Sequence, residues 1–389
     1  MSQKRSILVS HPWMGRGGSE ATAMWTLEAL QDDYEVTFVT ASPLDWEELN
    51  GAYGSHVDPL KVKVIKAPVV PTVDGPLKLV LWQNRYFEKF CNRIAGDYDL
   101  CLSAYNPVFF GKPGIQLLGD FSFSEDMRKR LYIYGESNFK HKESLVRKVY
   151  LAVGNLFGVK RPPLRERGDL VLSNSQWCVD QLGRYFGIGK SAVIYPPVIL
   201  PAAAFDTERD PLGFVCLGRV VPEKEIERII RILAALREKG YPATLKLIGN
   251  LDDSEYSRHL AQVLERHGDW IEPVGFLELE EKQRILSEQT FAIHACRIEA
   301  FGIAVAEMAS MGCVPIVPAT GGAVEIVPHS ELQYETDEEA VSKLLDLIEH
   351  PGKVEALRGE LLARVGQFGP DVFMRELREH VLAFAASRC

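Results

Sequence analysis

Short apolar runs of strand length alternate with amphipathic stretches of helix length along this chain, and that alternation constrains the fold more than any other feature. It begins with Ser6-Ile7-Leu8-Val9, a helix from Ser19 to Leu30, and Glu35-Val36-Thr37-Phe38-Val39, then continues through Leu100-Cys101-Leu102 and Leu170-Val171-Leu172. Strands joined through helices pair in parallel, and a parallel sheet is covered on both faces. The pattern restarts after Ile194-Tyr195-Pro196-Pro197-Val198, where two prolines fix φ and force an extended segment that neither a helix nor a central strand can pass through. Beyond it come the strand Gly213–Leu217, a helix from Lys224 to Lys239, the strand Thr244–Ile248, a helix near Glu255–His267 and further βα units from Ile271. The predicted class is α/β, with a doubly wound Rossmann-like domain over residues 1–197, a second over 198–369 and an amphipathic helix over 370–389 that opens with Pro370.

Composition narrows the function. At 46% hydrophobic and 25% charged, the 389 residues are those of a globular enzyme, not of a disordered or fibrous chain. The seven cysteines are scattered and never form C-x-x-C, so neither a disulfide framework nor a zinc site is expected, and a reducing, cytoplasmic setting fits. The first apolar run is too brief for a signal peptide, and no run reaches the ~18 apolar residues that a membrane span needs. Charge is uneven: residues 1–197 hold 24 Lys and Arg against 21 Asp and Glu, while residues 198–389 hold 20 against 32. Within the first half, Met127–Gly168 carries 11 cations against Glu136, Glu143 and Glu166, which suits either a solvated helix face or a surface for anionic lipid or a phosphorylated substrate. With an acidic whole and no nucleic-acid motif, nucleic acid is not an expected partner.

Three loops carry candidate chemistry. His11 to Glu20 follows the first strand and holds Gly15, Gly17 and Gly18; the spacing departs from G-x-G-x-x-G, so a dinucleotide reading fails and a tight turn competes with an anion cradle. Gly218-Arg219-Val220-Val221-Pro222-Glu223-Lys224 follows the first strand of the second half. Its fork and point charge suit a diphosphate, unless Glu223 or Glu225 pairs with these cations. In His294-Ala295-Cys296-Arg297-Ile298-Glu299-Ala300-Phe301-Gly302-Ile303, Gly302 opens a helix that places Glu299 on the loop and Glu307 one turn in, both as hydroxyl acceptors.

Glu299 and Glu307 around Phe301-Gly302-Ile303, the Arg219 and Lys224 pair, Gly17-Gly18 and Gly321-Gly322-Ala323-Val324-Glu325-Ile326 together resemble the retaining GT-B glycosyltransferases of family 4. The resemblance spans nearly the whole chain. It implies a nucleotide-diphosphate sugar as co-substrate, GDP- or UDP-linked, with no further cofactor and no metal. Arg219 and Lys224 would hold the diphosphate, Glu299 the sugar hydroxyls and Glu307 the ribose, with the backbone at Phe301, Gly302 and Ile303 completing the cradle. Gly249 and Asn250 are further donor-side candidates. Gly17 and Gly18 would close on the same diphosphate, the acceptor would enter through the first domain, and the terminal helix would cross back onto that domain. Tyr195-Pro196-Pro197-Val198, Asn174-Ser175-Gln176-Trp177 and Phe121 to Met127 are similar to segments of the mannosyltransferases that extend lipid-linked oligosaccharides, where a histidine stands near Asp120. Asp120 is thus a candidate sugar or acceptor contact.

Other readings compete. Asp97-Tyr98-Asp99 spells a metal-binding DxD but precedes an apolar run and reads as a turn; His11, His141 and His294 are each candidate bases, with no Ser/His/Asp spacing to support a hydrolase. Leu77–Phe87 mixes aromatic, aliphatic and basic residues in the manner of an interfacial helix. With the basic segment it predicts membrane association from the cytosolic side and a glycan or lipid-linked acceptor. A nucleotide-sugar epimerase of the same fold and a non-catalytic nucleotide-sugar-binding protein are the rival functions.

Overall fold

The computed structural model describes residues 4–15, 17–69, 80–131, 145–156, 158–201 and 207–388. The chain divides into two compact units, one of Met1–Ser124, Glu143–Pro197 and Pro370–Cys389, the other of Glu125–Lys142 and Val198–Gly369.

The first unit is built on a parallel sheet of β1 (Ser6–Ser10), β2 (Glu35–Thr40), β3 (Val62–Lys66), β4 (Leu100–Ser103), β5 (Ile115–Leu118), β6 (Leu170–Ser173) and β7 (Ser191–Val193), in the order β3-β2-β1-β4-β5-β6-β7. Period two along each strand feeds two cores. Ile7 and Val9 join Met24 and Leu27 of the helix Gly18–Leu30 on one face, while Leu8 joins Phe87 and Cys91 of the helix Val80–Ile94 on the other. The terminal helix Pro370–Ala386 belongs to the first of these cores through Phe373, Leu377 and Val381. Arg378 Nε donates to Ala29 O at 2.7 Å and Arg5 Nη1 to Ala385 O at 3.2 Å, so a cation sits at the carboxyl end of each of these two helices, as the backbone dipoles favour.

The second unit repeats the plan with β8 (Asp210–Leu217), β9 (Thr244–Ile248), β10 (Ile271–Gly275), β11 (Gln289–Ile293), β12 (Val314–Pro318) and β13 (Gln333–Tyr334), ordered β10-β9-β8-β11-β12-β13 and parallel. Both sheets reverse direction beside their first strand, at β1/β4 and at β8/β11. Such switch points leave a crevice at the carboxyl ends of the strands. Across the second one, Phe214 and Phe291 stack at 5.0 Å and tie β8 to β11. The helix expected from Lys224 starts at Ile226, because Pro222–Lys224 forms a 3₁₀ turn and Glu225 is left-handed at φ 49°.

Candidate active site

In the second unit the two loops singled out above leave adjacent strands at one switch point. Gly218, at φ 147°, opens the loop after β8; Gly302, at φ 104°, ends the loop after β11 and caps the helix Ile303–Ser310. Both values lie where an L side chain is strained. The loops are joined by two ion pairs. Lys224 Nζ donates to Glu299 Oε2, and Arg297 grips Glu225 through Nε at 3.0 Å and Nη2 at 2.6 Å. Glu225 therefore pairs with Arg297, while Lys224 goes to Glu299. This forked contact offsets the left-handed backbone at a non-glycine residue.

The pair Lys224–Glu299 is largely shielded, with 19% and 17% of each side chain exposed. Burial by itself would neutralise both groups, yet each charge outweighs that cost for the other: Glu299 is held well below the ordinary carboxylate range and Lys224 above the ordinary lysine value. His294 Nε2 lies 3.1 Å from the same Glu299 oxygen without hydrogen-bond alignment, and burial lowers its pKa, only partly opposed by Glu299. Arg219 is exposed, and its charge is felt at Lys224. His294, Cys296 and Glu299 place ligand atoms within 4.8 Å of one another, the one cluster of metal-binding geometry among the described residues. Against a cation there stand the Lys224 ammonium and the Cys296 thiol, which burial pushes up to about 12.

Glycines let these loops meet. A Cβ on Gly322 would stand 2.0 Å from Ala300 O and one on Gly321 2.8 Å from Glu299 O, while Gly322 N donates to Glu299 O at 2.7 Å. Gly249 lies against Gly218, where a Cβ would come within 2.1 Å of its carbonyl, so this position has a packing requirement of its own; Asn250 next to it is exposed. Phe301 is core, packed edge-on against Phe368 at 5.1 Å, which leaves its backbone alone to face a ligand. Beyond Gly302 the helix brings Ile303 into its first turn and Glu307 one turn on, and Lys282 Nζ donates to Glu307 at 3.1 Å.

In the first unit, the β1 loop and Asp120 also follow carboxyl ends of strands. Gly17 N donates to Tyr53 Oη at 2.9 Å, and a Cβ on Gly17 would come within 2.8 Å of Glu20 Oε2, so a carboxylate of the chain already lies against this loop; Gly18 begins the helix. His11 is buried with neither ring nitrogen hydrogen-bonded among the described residues, and its ring is 5.8 Å from that of Tyr105. Asp120 accepts from Tyr105 Oη at 2.5 Å, Asn106 Nδ2 at 3.0 Å and Ser122 N at 2.8 Å. Asp99 of the DxD spelling is occupied, accepting from Ser6 N and Oγ ahead of β4. His141, Lys140 and Lys142 lie outside the described residues, as do residues 77–79 of the interfacial stretch.

Comparison with known proteins bears on the second unit first, since its residues 204–364 match the model of glycosyl transferases group 1. The match covers 161 of the 389 residues, under half of the chain. The matched segment runs from ahead of β8 into the helix Pro351–Val365 and contains every second-unit candidate. The GDP-Man:Man(3)GlcNAc(2)-PP-Dol alpha-1,2-mannosyltransferase of Eremothecium gossypii is 26% identical over 167 residues, which is 40% of this chain and 29% of that protein. The chain spans well under half the length of the curated relatives it matches, at 29% and 36%. Among solved structures, sucrose-phosphate synthase from Thermosynechococcus elongatus superposes with a TM-score of 0.70 at 16% identity, covering 99% of this chain and 100% of its own. Anabaena HepE in complex with UDP and glucose gives 0.64 at 17%, covering 97% and 100%. At such identities these likenesses establish the fold, which is GT-B.

Proposed function

We propose that this protein is a retaining glycosyltransferase that moves a hexose from a GDP- or UDP-linked donor to a glycan or lipid-linked acceptor without a metal. The observation that carries the reading is the Lys224–Glu299 pair, held between two loops at the β8/β11 switch point of a group 1 glycosyltransferase segment. The chemistry follows from what each partner becomes when a donor enters. Lys224, with Arg219, turns to the diphosphate and stabilises the charge that builds on the departing phosphate, and Glu299 is released to accept hydroxyls of the sugar. Glu307 accepts from the ribose. The departing phosphate takes the acceptor's proton, so no side-chain base is required. Mannose is the sugar favoured by the mannosyltransferase relative. Asp120, oriented by Tyr105 and Asn106, faces the sugar or the acceptor from the first unit's own crevice. Membrane association rests on the basic residues of Met127–Gly168 and on exposed Val80, Tyr86, Leu145 and Val149, in a chain whose described residues include no helix long and apolar enough to cross a membrane.

The deciding experiment is a thermal-shift and calorimetric screen of GDP, UDP, ADP and their hexose conjugates, with and without EDTA. Stabilisation by one diphosphate, unchanged by EDTA, is the expected result. Product analysis by NMR then reads the anomeric configuration, and donor incubated alone must not be epimerised. Silence toward every nucleotide would overturn the donor site.

A further inference from the structure

The first unit holds a cavity of about 510 Å³ lined by Arg85, Gly158, Val159, Lys160, Arg161 and Pro162. It lies away from the crevice residues. Gly158–Arg167 leads into the amino end of β6, whereas His11 and Asp120 follow the carboxyl ends of β1 and β5. Its wall is organised around Glu88, a buried carboxylate that pairs with Arg161 at 2.9 Å and with Arg85 at 3.3 Å, and accepts from Phe109 N at 3.1 Å. A third guanidinium, Arg167, donates from Nε to Pro162 O at 3.0 Å and lies over the Phe109 ring. Arg85, Lys160 and Arg161 thus line the cavity, Arg167 stands behind Pro162, and Arg388 acts on Asp169, so that among the described residues cations outnumber the carboxylates Glu88 and Asp169. Asp169 is spent on Gly114 N at 2.8 Å, and burial raises its pKa toward the neutral form.

The crowding has a definite sign. Burial lowers the pKa values of Arg85 and Arg167, and the charge of Arg161 is the next contribution in the same direction for both. Guanidiniums so placed stabilise a further anion by relief of their own repulsion as well as by direct contact. The surplus of positive charge suits an anion, and half-buried guanidinium forks beside an exposed ammonium offer a tetrahedral phosphate several charge-assisted donors. A cavity of this volume accommodates the group with a substituent attached.

We propose that this cavity is a binding site for a phosphate group, separate from the nucleotide-sugar site. The phosphate is supplied either by the headgroup of an anionic phospholipid or by a free phosphorylated compound. Arg161 and Lys160 are its principal contacts.

The test is binding of inorganic phosphate by 31P NMR and calorimetry at constant ionic strength, and of phosphatidylcholine vesicles with and without phosphatidylglycerol. Arg161→Ala and Lys160→Ala are compared with the unaltered chain, and GDP and UDP binding is measured in parallel. Each substitution is expected to weaken phosphate binding by about tenfold, the worth of one charge-assisted hydrogen bond, and to leave nucleotide binding unchanged. Lys160 is exposed, so its variant stays informative if Arg161→Ala fails to fold around an under-paired Glu88. Sensitivity on phosphatidylglycerol vesicles alone assigns the headgroup, and sensitivity toward phosphate in solution assigns a free compound. Absence of binding to both, or equal binding by all three chains, overturns the site. Because nucleotides are read in parallel, failure of this site and failure of the donor site are distinguishable.

Discussion

Lys224 and Glu299 stand 75 residues apart in the chain and share one proton economy in the fold. Removing either leaves the other's charge shielded and uncompensated, which is the costly way to break such a pair. Lys224→Ala is expected to lower turnover by about 10²- to 10³-fold, the range for loss of one preorganised charge contact, with the circular dichroism spectrum retained. Glu307→Ala acts on the donor instead and should raise its Kd by about tenfold while leaving the chemical step in single turnover little changed. The pH response has a definite sign. Glu299 sits below its ordinary value of 4.5, so its contribution is present above that pH and is lost as the pH falls through the depressed value; Lys224 sits above 10.5, so its contribution is present below that pH and is lost as the pH rises through the raised one. The stability difference between the unaltered chain and Glu299→Gln should therefore stay level from about pH 5 to about pH 10 and shrink outside that window. A difference that instead collapses as the pH falls below 6.5 would transfer the titration to His294, whose pKa burial lowers. At this scale the residue types were legible in the sequence, but the pairings were not. Which acid meets Lys224 is a tertiary decision, and the adjacent Glu225, turned away by its left-handed backbone, goes to Arg297.

At the scale of the element, the strands and helices around both switch points follow from apolar period and proline placement, since those signals are local. The loops do not: a 3₁₀ turn at Pro222–Lys224 and the left-handed Glu225 delay the next helix by two residues, and nothing in a helical window of that segment reports it. The role of Gly321-Gly322 was legible only as part of a motif. Its physical basis is close backbone approach to Glu299 and Ala300. Gly322→Ala should displace that loop, costing about 1–3 kcal/mol of stability on the scale of local backbone strain and weakening nucleotide binding together with it. A variant with unchanged melting temperature and unchanged donor affinity would show that the clasp is dispensable. Gly249→Ala, pressed on Gly218, provides a matched case from the other loop.

For the whole molecule, the informative feature is that the first unit's core is assembled from discontinuous chain. Phe373, Leu377 and Val381 of the terminal helix are almost fully buried beside Met24 and Leu27. Removing residues 370–389 should expose that face, and amide exchange in β1 and β2 should accelerate strongly while β8 and β11 keep their protection. Retained protection in β1 and β2 would mean the helix is ornamental to the core.

The same feature sets an order of events during synthesis. Residues 198–369 emerge as one continuous stretch carrying all six strands of their sheet. The residues of β1 and β2, made before that stretch, wait for the helix Pro370–Ala386 before their hydrophobic face is covered. The first unit is thus begun before the second and completed after it, and through that interval one face of β1 and β2 stays uncovered and open to wrong contacts.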